Sequence, residues 1–366
     1  MKWKQQLLSL KPYQPGRTID EVKKQFELDE IVKLASNENP FGCSPKATAI
    51  IKDYSGLYAL YPDGYATKLR EAVSAHLNVD PKQLIFGDGS DELIQIISRA
   101  LLHPGVNTVM ASGTFSQYKH NAIIEGCEIR EIPLVDGAHD LDNMIKAIDA
   151  HTSVVWLCSP NNPTGVYINN QEITTFLSKV PKDVLVVLDE AYYEYAEAED
   201  YYDALTLVNE YDNLIVLRTF SKIYGLASLR VGYGIAHTDI IKVLDPARPP
   251  FNVNALGQAA VIAAIEDQDF VDWCKQANIV GKQQFYQFCE EHQLSYYPSQ
   301  GNFILIDFGC DGNEVFQFLM ERGFIVRSGV PLGFPTYVRV TVGSKEQNEG
   351  VIGRMKEFLA TKAALS

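Results

Sequence analysis

Basic residues are in the minority here: 32 lysines and arginines face 46 aspartates and glutamates, a formal charge of −14. A phosphate backbone needs a basic face, so this balance argues against nucleic acid as a partner. Small anionic substrates stay open, provided that a few arginines gather locally. Metal-ligand spacing is also missing. The six cysteines (43, 127, 158, 274, 289 and 310) form no CxxC pair and the histidines no HxxxH pair, so no metal site is expected. Scattered thiols in a chain this long need no disulfide framework and read as reduced cysteines of a cytoplasmic protein. No apolar run reaches ten residues, too short for a membrane helix. Met1-Lys2-Trp3-Lys4-Gln5-Gln6 carries no apolar signal-peptide core. The GxGxxG dinucleotide pattern, the Walker A pattern and tandem repeats are all absent.

What is present is a large, ordinary globular composition. The 366 residues are 46% hydrophobic and 11% aromatic, enough for one large domain and a smaller one. Apolar runs at 84–86, 107–111, 128–132, 153–158, 184–188, 214–218 and 231–236 read as strands. Helical patterns fall between them, at 67–77, 91–102, 116–125, 140–149, 170–178 and 203–209. This alternation predicts an α/β fold: a mostly parallel seven-stranded sheet between helices. Residues 1–30 read as an N-terminal arm with a short helix and 31–245 as the large domain. The proline-rich Asp245-Pro246-Ala247-Arg248-Pro249-Pro250 reads as the hinge to a smaller α+β domain, 246–366. That domain is expected to hold helices at 254–265 and 268–292, strands at 302–307 and 337–342, and a helix from Asn313 to Arg322.

Several strand ends carry residues suited to one chemistry. Lys222 follows the run 214–218 within Thr219-Phe220-Ser221-Lys222. Alone it would be a solvated loop lysine. Partly desolvated, it has a lowered pKa and can form an imine with an aldehyde. Gly87-Asp88-Gly89-Ser90-Asp91 reads as a strand–turn–helix junction, with Ser90 as N-cap and backbone N–H groups that suit a phosphate. Asp91 and Glu92 would repel that phosphate, so their side chains are expected to point away. Arg230, eight residues after the lysine, supplies a planar cation, and the hydroxyls of Thr219 and Ser221 lie close in sequence. Asp189 ends a strand where parallel sheets bind ligands, and there could face a pyridine nitrogen. Asn162 and Tyr192 could donate to a phenolate oxygen. Phe115 could stack on an aromatic ring. Arg339 sits inside the strand pattern Tyr337-Val338-Arg339-Val340-Thr341 and, with Arg327, suits an anionic substrate group.

Taken in order, these segments resemble the fold-type I family of pyridoxal-phosphate enzymes, the aspartate aminotransferase superfamily. Within it the chain is most similar to the histidinol-phosphate aminotransferase branch. The resemblance also rests on Leu10-Lys11-Pro12-Tyr13-Gln14-Pro15-Gly16, Ser36-Asn37-Glu38-Asn39-Pro40-Phe41-Gly42, Tyr61-Pro62-Asp63-Gly64 and Arg327-Ser328-Gly329. It implies pyridoxal 5'-phosphate as cofactor and a homodimer whose active sites lie at the subunit boundary. By the same resemblance Lys222 forms the internal aldimine, Asp189 pairs with the pyridine nitrogen, and Asn162 and Tyr192 bond the phenolate oxygen. Ser90 and Asp91 give backbone N–H groups to the phosphate, with Thr219, Ser221 and Arg230. Tyr61 reaches the neighbouring subunit's cofactor phosphate, and Tyr13, Asn37, Arg327 and Arg339 meet the substrate.

The expected activity is ping-pong transfer of an amino group from histidinol phosphate to 2-oxoglutarate, with Lys222 as general acid–base. An aromatic amino-acid aminotransferase and, further off, a threonine-phosphate decarboxylase share these motifs and stay open. A transcription regulator built on this fold would need a DNA-binding segment before it, whereas here site-forming sequence begins by Tyr13.

Overall fold

The computed structural model describes residues 1–12, 16–56 and 58–365. The first strand, β1 (Val32–Lys33), is two residues long and stays outside the main sheet. Seven more strands form that sheet: β2 (Leu84–Asp88), β3 (Asn107–Ala111), β4 (Glu128–Ile132), β5 (Thr152–Cys158), β6 (Leu185–Asp189), β7 (Leu214–Thr219) and β8 (Val231–Ala236). All seven lie within two residues of their expected positions. Their spatial order is β2-β8-β7-β6-β5-β3-β4. Every pairing is parallel except those of β8, which runs antiparallel to both β2 and β7.

The apolar runs are continuous because both faces of the sheet are covered. Successive side chains alternate between two cores. Leu157, Val186, Leu188 and Val216 face one, with Val73, Phe176, Val208 and Val261 from helices. Trp156, Val187, Ile215 and Leu217 face the other, against Ile94 and Ile97 of the helix Gly89–Leu101 and Tyr118 of the helix Ser116–Glu125. Each such side chain contributes roughly 1.5–3 kcal/mol when fully buried. Helix starts are set locally. The helix Asn170–Lys179 begins with a capping box in which Asn169 and Glu172 satisfy each other's backbone N–H groups.

A third core lies under β9 (Phe303–Asp307), β11 (Arg327–Ser328) and β12 (Tyr337–Thr341), an antiparallel sheet ordered β11-β12-β9. The remaining strand, β10 (Phe324–Ile325), pairs in parallel with β1. Segment 32–35 therefore packs with the C-terminal layer and not with the large sheet; Leu34 is part of the third core.

The proline break at 245–250 does not coincide with the change of core. The helix Ala255–Ile265 buries Ala260, Val261 and Ala264 in the first core. The 24-residue helix Gln268–Glu291 then crosses over: Val271 and Cys274 belong to the first core, Phe285 and Phe288 to the third. A composition break marks where a helix cannot continue, whereas cores divide where apolar faces find partners. The helices Pro45–Asp53 and Lys345–Leu365 were not anticipated. The second had a signal: Val351, Met355 and Phe358 are buried at helical spacing.

Candidate active site

Parallel strands place their carboxyl ends on one edge of the sheet, and ligands bind in the crevice beyond them. Here the crevice is a cavity between that edge and the C-terminal layer. Phe115 and Thr114 enter it from beyond β3, Asn162 from beyond β5, Asp189 and Tyr192 from β6, and Thr219, Ser221 and Lys222 from β7. Ser90, Asp91, Arg230, Asn37, Arg327 and Arg339 complete the expected set along its walls. Tyr61 stands outside, 82% exposed and stacked on Phe251 at 4.7 Å. Tyr13 lies outside the described residues.

Lys222 is the one lysine on the cavity wall among the described residues. Its Nζ donates to the Ser36 carbonyl at 3.0 Å and stands 5.6 Å from the Tyr192 ring centroid. Burial, helped by the Arg339 charge, pulls its pKa down to about 8. Asp189 responds to burial in the opposite sense: only 3% exposed, it is pushed up to about 6. Tyr118 opposes that rise by donating to Oδ2 at 2.7 Å, and the Ala191 N–H reaches Oδ1 at 3.2 Å.

The Tyr192 hydroxyl sits among donors, which leaves its own proton free. Asn37 Nδ2 donates to its hydroxyl oxygen at 3.0 Å and Asn162 Nδ2 at 3.4 Å. Both neighbours give protons, so the hydroxyl keeps its own for the cavity. Burial raises the Tyr192 pKa and keeps it protonated. Asn37 is itself held in a left-handed backbone (φ 56°) by Thr341, which receives its N–H and donates to its Oδ1.

The end of the cavity lined by Ser90, Ser221 and Arg230 is assembled by β8. Because β8 runs against β2 and β7, its amino end lies beside their carboxyl ends: Val231 pairs with Asp88 and Gly232 with both Gly87 and Thr219. Arg230, one residue earlier, thus reaches the start of the helix Gly89–Leu101. Arg230 Nη1 donates to Ser221 Oγ at 3.3 Å, and Thr219 Oγ1 donates to Ser221 Oγ at 3.0 Å. Gly89 has φ 73°, and a Cβ there would collide with the Arg230 guanidinium. The helix begins one residue before Ser90, so Ser90 is not its cap; Asp88 holds that position without a side-chain cap bond. The first N–H groups are thereby left facing the cavity. Glu92 turns away as expected, accepting from the Asp88 N–H at 2.7 Å and from Asn252. Asp91 does not: its Oδ2 lies 3.4 Å from Arg230 Nη2, because the guanidinium attracts it.

Arg339 is buried in the middle of β12, not outward-facing. It donates to Asn162 Oδ1 and to the Ala35 carbonyl, each at 2.6 Å. Arg327 pairs directly opposite it in the antiparallel register. Two like charges placed opposite each other are unfavourable unless an anion lies between or above them. The donor set fits a phosphorylated pyridine aldehyde: an amine of lowered pKa, a buried carboxylate, two phenolate donors and an arginine–hydroxyl–amide anion site.

Two contributors escaped the sequence reading. Tyr118 follows Phe115, the residue that caps the helix Ser116–Glu125, by three positions, a spacing that could have flagged it. The Ser36 carbonyl that receives Lys222 leaves no trace in residue identity.

Comparison with known proteins bears on this arrangement. The family model described as aminotransferase class I and II matches residues 29–355. A histidinol-phosphate aminotransferase of Geobacillus sp. (strain WCH70) is 61% identical over 362 residues, covering 99% of each chain. One from Anoxybacillus flavithermus is 59% identical over 359 residues, covering 98% of this chain and 97% of that protein. The crystal structure of a Sinorhizobium meliloti histidinol-phosphate aminotransferase in complex with pyridoxal-5'-phosphate superposes with a TM-score of 0.90 at 26% identity, covering 98% of both chains.

Proposed function

Because this chain belongs to the class I and II aminotransferase family, we propose that it transfers the amino group of histidinol phosphate to a 2-oxo acid, 2-oxoglutarate foremost, yielding imidazole-acetol phosphate and glutamate. The observation that carries the proposal is the position of one amine, Lys222 Nζ, in a cavity with a buried carboxylate and two separate arginine anion sites. One anion site suits the cofactor phosphate. The second, Arg327 with Arg339, suits a substrate that brings a phosphate or carboxylate of its own.

The cofactor is pyridoxal 5'-phosphate. When bound it supplies an aldehyde carbon for the amino group and a ring that delocalises the electron pair left when a C–H bond breaks. In this proposal Asp189 accepts the ring N–H, and Asn162 and Tyr192 donate to the phenolate oxygen. The N–H groups of Ser90 and Asp91, with Thr219, Ser221 and Arg230, take the phosphate. Phe115 covers one ring face. Lys222 Nζ anchors the aldehyde carbon. As a free amine, the same Nζ would take the proton from the substrate carbon that bears the amino group and would hold it for return as the exchange completes. Its pKa of about 8 suits a base working near neutral pH. Asn37, Arg327, Arg339 and Tyr13 are assigned to substrate, and the C-terminal layer to a lid-like domain above the cavity. The working form is a cytoplasmic homodimer in which Tyr61 serves the partner's cofactor phosphate.

A coupled assay with histidinol phosphate and 2-oxoglutarate, beside phenylalanine and tyrosine, tests the reading. Histidinol phosphate should give the highest kcat/KM. A preference for phenylalanine, or release of carbon dioxide without any need for a 2-oxo acid, would overturn the assignment.

A further inference from the structure

Tyr118 takes no part in the scheme above, yet it touches the residue on which that scheme leans. We infer that Tyr118 is a positioning residue: from behind the cavity wall its hydroxyl holds the Asp189 carboxylate in place and in its charged form. The inference rests on the cofactor reading only for its consequence in binding; the contact itself stands without it.

Tyr118 is fully buried, and its hydroxyl donates to Asp189 Oδ2 at 2.7 Å. The Ala191 N–H takes the other oxygen, Oδ1. Each carboxylate oxygen thus has one donor from the protein side and lone pairs left for the cavity. The donor is itself immobilised. Its ring stacks on Trp156 at 4.9 Å and 13°, and the edge of Phe115 packs against it at 5.6 Å. Trp156 Nε1 donates to Thr108 Oγ1 at 2.9 Å, and Thr108 donates to the Val154 carbonyl at 2.8 Å. A fixed relay of contacts therefore runs from β3 through β5 to the end of β6.

The hydroxyl acts only as a neutral donor. Burial and the nearby Asp189 charge raise its own pKa well above that of an ordinary tyrosine. Around Asp189, Asp91 and Glu190 push its pKa upward, and Cys158 and Tyr192 are kept neutral by burial. Lys222 and Arg230 line the same cavity as cations. The Tyr118 bond is the largest influence holding the carboxyl down against burial.

The experiment compares Tyr118→Phe, which deletes a single oxygen, with Thr108→Val, which loosens the same stack without touching Asp189. In cofactor-free protein the Asp189 carboxyl is titrated by carbon-13 NMR, using Asp189→Asn to assign the signal. The dissociation constant of pyridoxal 5'-phosphate is measured alongside. Tyr118→Phe should move the titration midpoint upward by about one pH unit or more. Cofactor binding should weaken roughly tenfold, as for a lost hydrogen bond to a charged group. Thr108→Val should lower thermal stability and leave the midpoint in place. An unmoved midpoint in Tyr118→Phe, or an equal shift in both variants, overturns the inference even if transamination is established. An upward shift confined to Tyr118→Phe supports it whatever the amino donor proves to be.

Discussion

Lys222 and Asp189 are tuned by one cause acting in opposite directions, since burial penalises whichever form is charged. Replacing Lys222 with Ala should leave pyridoxal 5'-phosphate bound but without the absorbance of a protonated imine. Turnover should fall at least about 10²–10⁴-fold, the usual contribution of a positioned acid–base. Undiminished turnover would remove Lys222 from its role. Asp189 also predicts a pH dependence of stability. Its folded pKa of about 6 exceeds its unpaired value of 3.8, so the native state binds more protons in that window and this contribution to stability weakens as pH rises. His139 runs the other way. Buried beside Asn161, it is lowered from 6.5 to about 4, so its contribution weakens as pH falls through the same window. In the wild-type chain the two nearly cancel. Cofactor-free Asp189→Asn should therefore lose stability more steeply than wild type between pH 6 and 4, by up to roughly 3 kcal/mol. Urea midpoints across that range test it, and parallel curves would show that Asp189 is an ordinary carboxyl.

At the scale of elements, the site depends on how closely β8 approaches the turn after β2. A Cβ on Gly232 would fall inside van der Waals contact of Ser90 N and Gly89 C, both backbone atoms that a side chain cannot push aside cheaply. Gly232→Ala should cost about 1–3 kcal/mol of stability as an overpacking change. It should also weaken cofactor binding, because the displaced N–H groups are those proposed to take the phosphate. Equilibrium dialysis and thermal midpoints measure the two effects, and full cofactor affinity in this variant would argue that the turn is not the phosphate site. The strands of the large sheet were legible because burial on both faces demands continuous apolar runs. The direction of β8 was not. Pairing direction depends on where the chain returns in space, and residues 231–236 would read the same in either direction. Arg230 stands out by its residue type and spacing, but only the antiparallel return explains how it reaches the start of the helix Gly89–Leu101.

On the whole molecule, the segment 58–65 presents large apolar side chains to the outside. Tyr58, Leu60, Tyr61 and Tyr65 are all more than half exposed, and Phe251 stacks on Tyr61 at the surface. A cluster of exposed rings of this kind suits an interface. If Tyr61 serves the neighbouring subunit, Lys222→Ala and Tyr61→Ala chains should each be impaired alone. Mixed after mild dissociation, they should regain activity, because half the sites of a mixed dimer then carry both native residues. No recovery, with dimers verified by sedimentation, would place Tyr61 outside the site.

The order of residue types along the chain was enough to determine the sheet strands, the cofactor chemistry and most of the charged and aromatic side chains that line the cavity. Those features follow from local rules: which residues tolerate burial, which turns need glycine, and which groups can hold an aldehyde, a ring nitrogen or a phosphate. Folding in three dimensions decided the rest. It set Arg327 opposite Arg339, placed Tyr118 behind Asp189, brought segment 32–35 to the C-terminal layer and aimed Lys222 at a backbone carbonyl. Each of these joins residues that are distant in sequence or a backbone group with no identity of its own. Their partners are chosen by packing, which no local pattern encodes.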